Sequence, residues 1–301
     1  MTERVRGAAD YDDPSSARML GAAADVLRSF GSGFGGQHLA IVGGIVPGLL
    51  VPDPPRGTAP HVGTADLDLH LSLQLMEGET ADYYASIVEG LRSLDLAADD
   101  SDGRTRRWRW LGTHRGVALQ VELLCPARGR PAAQEPPAAG TVAEINVGPT
   151  GQITALALGL GHLVTDDITV ISRRVETSAG FLTYPFPVAG LTSWLCLKSE
   201  AIVGRNKAKD SYDVVWLLNA LGPEQAAETV VGSPLLAGTH ALEVQAVLGR
   251  LVGDQFLDTT SVGPQSYATF IGATAGPPQH RQAQATVAEF GRALAALGGA
   301  I

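Results

Sequence analysis

The 301-residue chain has only two cysteines, Cys125 and Cys196. Two thiols make neither a disulfide scaffold nor a four-thiolate zinc site. Basic charge is also scarce: Lys+Arg 22 stand against Asp+Glu 31, a formal net charge of −9 at pH 7. That argues against a protein that coats DNA or RNA through a globally basic surface, but leaves room for a local basic patch. Long apolar runs are missing. The longest, Ile153 to Val164, contains His162 and falls short of the roughly 20 residues that a membrane span needs. The first ten residues hold no apolar run of signal-peptide length. The expectation is a soluble, cytoplasmic protein with reduced thiols and no membrane partner. Several catalytic signatures are absent as well: a Walker-A lysine, His-Glu-x-x-His and Gly-x-Ser-x-Gly. Gly31 to Gly36 contains Gly-x-Gly-x-x-Gly, but it precedes an apolar strand where a dinucleotide fingerprint would follow one. The seven histidines show no metal-ligand spacing.

Hydrophobic residues make up 45% of the chain and charged residues 18%, which supports a sizeable core and excludes wholesale disorder. Leu20, Ala23, Leu27 and Phe30 fall at helical spacing within Ser15 to Phe30. Strands are expected at 38–42, 66–71, 104–110, 117–124 and 167–175, and a helix at 80–94. The segments 47–63 and 128–140 are rich in Pro and Gly and read as loops. From Val188 onward the signals are mainly helical: 188–203, 211–221, 223–231, 241–252 and 280–297. A mixed half followed by a helical half makes the expected class α+β with two lobes.

Three features of the first half carry candidate chemistry. The strand ending at Val42 runs into Gly43-Gly44 and an apolar helical turn, either a plain tight turn or a place where backbone N–H groups meet an anion. Asp66 and Asp68 are two apart on a strand, so both carboxylates share one face while Leu67, Leu69 and Leu71 take the other. Such a pair is either a solvated face or a seat for a cation that removes the mutual repulsion. Glu122 lies in Leu119-Gln120-Val121-Glu122-Leu123-Leu124, an otherwise apolar strand where a carboxylate is costly unless paired or metal-bound.

In the second half, Lys198 and Arg205 are seven apart, on one helical face beside Leu191, Leu195 and Ile202. Lys198 is either a phosphate-neutralising cation or a snorkelling lysine. Asp210 occupies an expected helix N-cap, with Asp213 in the first turn, and cap and catalytic helper are compatible roles. Arg104 to Trp110 is the one basic stretch with interleaved aromatics. It is either a phosphate-and-base contact or an edge strand protected by charge.

Gly43-Gly44, Asp66-x-Asp68 and Glu122 together resemble the nucleotidyltransferase superfamily, the polymerase-beta-like fold, and Thr64-Ala65-Asp66-Leu67-Asp68 is similar to its approach to the acidic pair. Lys198, the stretch Arg205-Asn206-Lys207-Ala208-Lys209 and then Asp210-Ser211-Tyr212-Asp213 are similar to the AbiEii-type toxin subfamily. The resemblance spans about Leu39 to Leu218. It departs from the pattern in Gly44, where many members have Ser, in Glu122, where Asp is frequent, and in the long 47–63 insertion.

The resemblance implies a nucleotidyltransferase domain over 15–178, a mixed sheet with helices, followed by a mainly helical C-terminal domain over 179–301. It implies Mg²⁺ or Mn²⁺ held by Asp66, Asp68 and Glu122, with Lys198 and Asp210 also catalytic. Gly43, Gly44, Lys198, Arg205 and Lys209 would bind the nucleoside triphosphate. The implied reaction transfers a nucleoside monophosphate to an acceptor hydroxyl with release of pyrophosphate. A type IV toxin of this kind acts on RNA, a tRNA end, and has an antitoxin protein as partner. The acidic balance favours a rival, a small-molecule acceptor of aminoglycoside type. A third reading is a catalytically idle nucleotide-binding or interaction module.

Overall fold

The computed structural model describes residues 7–11, 13–31, 38–64, 66–71, 81–127, 144–146, 152–205, 207–272 and 277–299. The expected loop over 128–140, most of the glycine run 31–36 and residues 1–6 lie outside them. The chain divides into two compact units. A sheet unit comprises 13–46 and 63–189, and a helical unit comprises 1–12, 47–62 and 190–301. The division falls at Gly190 and not at 178/179, because the turn between Thr177 and Gly180 closes a long hairpin that belongs whole to the sheet unit. The proline-rich segment 47–62 groups with the C-terminal helices.

Among the described residues the sheet unit has nine strands: β1 (Leu39–Val42), β2 (Asp66–Leu71), β3 (Ala97–Asp99), β4 (Arg106–His114), β5 (Val117–Pro126), β6 (Glu144–Asn146), β7 (Thr154–Leu158), β8 (Ile168–Thr177) and β9 (Gly180–Ala189). Their order is β3-β4-β5-β2-β1-β9-β8, with β7 extending the β4 side of β5 and pairing β6. The sheet is mixed: β2 runs parallel to β5 and antiparallel to β1. In β2 the alternation works as expected, since Leu67, Leu69 and Leu71 are buried while Asp66 and Asp68 are half-buried. β4 and β5 form a tight hairpin. Arg115 (φ 53°) and Gly116 (φ 74°) are both left-handed, the geometry of a two-residue turn that matches strand twist. Gly112 to His114 are therefore strand residues, not loop. β4 is not an edge strand either, because β3 covers its outer side.

β9 was not among the expected strands, and it carries Pro185 and Pro187, residues rarely found in interior strands. Consecutive residues send their N–H groups to opposite edges, so the two prolines, two apart, both spare the same edge. The β8–β9 register continues unbroken across them, and on its other side β9 pairs with β1 only at Ile41↔Val188.

Helix α1 (Asp13–Ser29) packs on β8 and β5. At Gly21 it lies so close to the Glu176 carbonyl that any Cβ would overlap it. One helical turn further on, buried Asp25 accepts hydrogen bonds from Ser178 N and Oγ and from His114 Nε2 (2.9 Å), tying the helix to two hairpin turns. The unit also contains α3 (Ala81–Ser93) and α4 (Gly161–Thr165), whereas α2 (Val46–Leu50) has only its first residue in this unit and the rest in the helical unit.

The helical unit contains α5 (Leu191–Gly204), α6 (Ala208–Leu221), α7 (Pro223–Val231), α8 (Pro234–Ala237), α9 (Ala241–Arg250), α10 (Val262–Phe270) and α11 (Pro277–Ala296). Its core includes Trp194, Phe256, Phe270 and Phe290, each at most 1% exposed. α6 begins three residues earlier than expected. Lys207 is its N-cap and caps nothing with its side chain, so Asp210 is the third helical residue and not the cap. Among the described residues, no helix is long and apolar enough to cross a membrane.

Candidate active site

The acidic residues of the sheet unit meet through strand register. β2 and β5 pair Asp66↔Gln120 and Asp68↔Glu122. Partners on adjacent parallel strands are about 4.8 Å apart and share a face, so Asp66, Asp68, Gln120 and Glu122 form one polar patch. Val42 pairs with Asp68 from the other side, which brings the end of β1 to the same place. Gly43 follows with φ +78°, a conformation that favours glycine, and a Cβ there would overlap the Asp68 carboxylate. Gly43 and buried Gly44 then open the 3₁₀ turn Gly43–Ile45 that leads into α2. The Gly43 backbone therefore lies directly against Asp68.

Glu122 is held firmly. Its Oε1 accepts hydrogen bonds from Arg109 Nε (3.0 Å) and Gln120 Nε2 (2.8 Å), and Arg109 Nη2 lies 2.9 Å from the same oxygen as an ion pair. Arg109 lies opposite Glu122 on β4. Neither Oε2 of Glu122 nor the Asp66 carboxylate takes a hydrogen bond from the described residues. Of the other arginines of the basic stretch, Arg106 is paired, while Arg104 and Arg107 are exposed. Arg106 bonds Asp99 (3.1 Å) and Asp102, and Arg104 approaches Glu144 (3.7 Å). His70 continues the polar face of β2 into the interior. It is 1% exposed, its Nε2 faces the Gly161 backbone without a hydrogen bond of normal geometry, and burial pushes its pKa down to about 4.

The second-half residues meet within the helical unit. Lys198 is 4% exposed, and its Nζ donates to Asp210 Oδ1 (2.7 Å) and Asp213 Oδ2 (2.6 Å). Arg205 Nη2 reaches Asp210 (3.1 Å), and Lys209 Nζ reaches Asp213 Oδ1 (2.7 Å). Three cations thus surround two buried carboxylates. Burial opposes ionisation of both aspartates, but Lys198 outweighs it, with Arg205 at Asp210 and Lys209 at Asp213, and holds them below the usual carboxylate range. Burial also opposes the charge on Lys198, and the two aspartates overcome it and raise its pKa. At Lys209 burial prevails over Asp213 and lowers the pKa. Lys198 is thus neither snorkelling nor presented to solvent.

His61 is a member of this cluster that has no sequence signal. It comes from the proline-rich segment, is 7% exposed, and donates from Nε2 to Asp213 Oδ1 (3.0 Å). Val62 N donates to Tyr212 Oη (3.3 Å) and Trp216 Nε1 to the Ala59 carbonyl (2.9 Å), so the segment is fastened along α6. Burial lowers the His61 pKa and prevails over the opposing pull of Asp213. A group protonated more readily when unfolded than when folded destabilises the native state as pH falls below its unfolded value, about 6.5. Stability is therefore expected to decline between pH 7 and 5, as read by urea midpoints. His61→Gln keeps a donor for Asp213 and removes the titration, so its decline should be shallower. The remaining slope belongs to His70, which titrates in the same window. Equal slopes in both proteins would exclude His61 as a source.

No protein-family model matches this chain, and no curated protein is detectably similar to it.

Proposed function

We propose that the protein is a divalent-metal-dependent nucleotidyltransferase that moves a nucleoside monophosphate from a nucleoside triphosphate to a hydroxyl of RNA, a tRNA end, as an AbiEii-like toxin with an antitoxin partner. The observation that carries this reading is the pairing of Asp68 with Glu122, with Asp66 on the same face and the Gly43 backbone against Asp68. The donor set suits a hard cation: it is all oxygen, on rigid strands, with Asp66 and Glu122 Oε2 uncommitted among the described residues. Asp66, Asp68 and Glu122 would hold Mg²⁺ or Mn²⁺, which when bound neutralises phosphate charge and favours ionisation of the attacking hydroxyl.

The chain's own residues supply orientation. The Gly43-Gly44 backbone would lie along the phosphates, where no Cβ keeps them away. The acceptor oxygen attacks the α-phosphorus in line. The new O–P bond forms as the bond to the bridging oxygen breaks, and pyrophosphate leaves with that electron pair. In the helical unit the Arg205 side chain is 48% exposed, while Lys198 is buried against Asp210, the aspartate that Arg205 also contacts. The charge of −9 supports a second reading, a cationic small-molecule acceptor.

The test is incubation of the protein, and of Asp68→Asn, with Mg²⁺, each α-labelled nucleoside triphosphate and total tRNA. Label on RNA with the wild type alone is the expected result and names the nucleotide. Nucleotide binding without RNA labelling would overturn the RNA assignment and favour the small-molecule acceptor. Neither binding nor transfer would overturn the enzyme reading and leave the idle module.

A further inference from the structure

Arg109 is placed where a metal would need to compete with it. Its Nε donates to Glu122 Oε1 and its Nη2 ion-pairs with that same oxygen at 2.9 Å, although a guanidinium fork commonly spans both oxygens of a carboxylate. Gln120 completes the set on Oε1, so that atom is saturated and Oε2 is left uncommitted among the described residues. The arginine is itself positioned from outside the pair. Its Cζ lies 4.5 Å from the centroid of the Trp108 ring, and its Nη1 is 3.7 Å from Asp99 Oδ2, an oxygen that Arg106 also binds at 3.1 Å. Stacking and ion pairing fix a permanent positive charge beside Glu122, on the polar patch that carries Asp66 and Asp68. This charge fixes the position of the Glu122 carboxylate, and it repels any cation that approaches Oε2.

We infer that Arg109 is a resident competitor for the metal. It is a positioning residue that presents Glu122 through Oε2 and keeps divalent-cation affinity low until a triphosphate brings negative charge to the site. The metal then loads with its nucleotide and not alone. This inference rests on the metal-site reading of the three carboxylates.

The test is titration of Mn²⁺ alone, read by loss of the free-ion paramagnetic resonance signal, against the wild type, Arg109→Gln and Arg109→Lys, each shown to be folded by circular dichroism. Arg109→Gln removes the charge and is expected to bind Mn²⁺ at least about tenfold more tightly, the scale on which groups behind a ligand tune a site. Arg109→Lys keeps the charge without the fork and is expected to stay near the wild type. Arg109→Met repeats the charge removal in apolar form, so one folded variant of the two suffices. Unchanged or weaker Mn²⁺ binding in the charge-removed protein, with binding still abolished by Asp68→Asn, would overturn the competitor and leave the metal site intact. Absence of Mn²⁺ binding in every protein would overturn both.

Discussion

Asp68→Asn is expected to lower Mg²⁺-dependent transfer by about 10³-fold or more, roughly 4 kcal/mol of barrier, with little change in fold. Asp68 is the residue on which the site converges: Glu122 lies in register on one side, Val42 on the other, and Gly43 lies against its carboxylate. Asparagine preserves the shape of that contact and removes the charge, so a loss of activity reports ligand chemistry and not collapse. The measurement is single-turnover transfer from an α-labelled triphosphate over a range of Mg²⁺ concentrations. A drop in rate that excess Mg²⁺ or Mn²⁺ partly restores would mark Asp68 as a metal ligand. Wild-type rates in the variant would exclude it.

The largest expected effect on stability lies in the other unit. Asp213→Ala should cost about 3–5 kcal/mol, because it strips a buried carboxylate from Lys198, Lys209 and His61 at once. In a unit of this size that is a fall of roughly 10 °C or more in melting temperature. Lys198→Met should cost less. It leaves Asp210 with Arg205, and Asp213 with Lys209 and His61, so neither carboxylate is stranded. Thermal denaturation of the two variants side by side tests the order. If Lys198→Met were the more damaging, Asp213 would not be the centre of the cluster.

Much of the sheet face that holds the acidic patch was legible because β2 alternates strictly, and Glu122 stands out in an apolar strand. Arg109 was legible in principle and was missed. Once the turn is set at Arg115-Gly116, His114 pairs with Val117, and counting back along both strands brings Arg109 opposite Glu122. Ending the first strand at residue 110 hid that register. β3 and β6 are three residues long, too short for any periodicity, and β9 is masked by its prolines. Asp210 was misread as a cap because a Ser/Asp-type cap is the local signal for a helix start, and α6 starts without one. His61 left no local trace. Its role depends on a partner 152 residues away, and no pattern within the proline-rich segment encodes that distance.

The fastening of that segment constrains how the gene can be divided. A fragment beginning at Gly190 contains every helix from α5 onward, yet lacks His61, Val62 and Ala59. Asp213 would lose a donor, and Tyr212 and Trp216 their backbone partners. A fragment ending at Ala189 would carry residues 47–62 with no α6 to receive them. The two units are therefore interleaved along the chain, and no single crossover can exchange one of them between homologues without severing the strap.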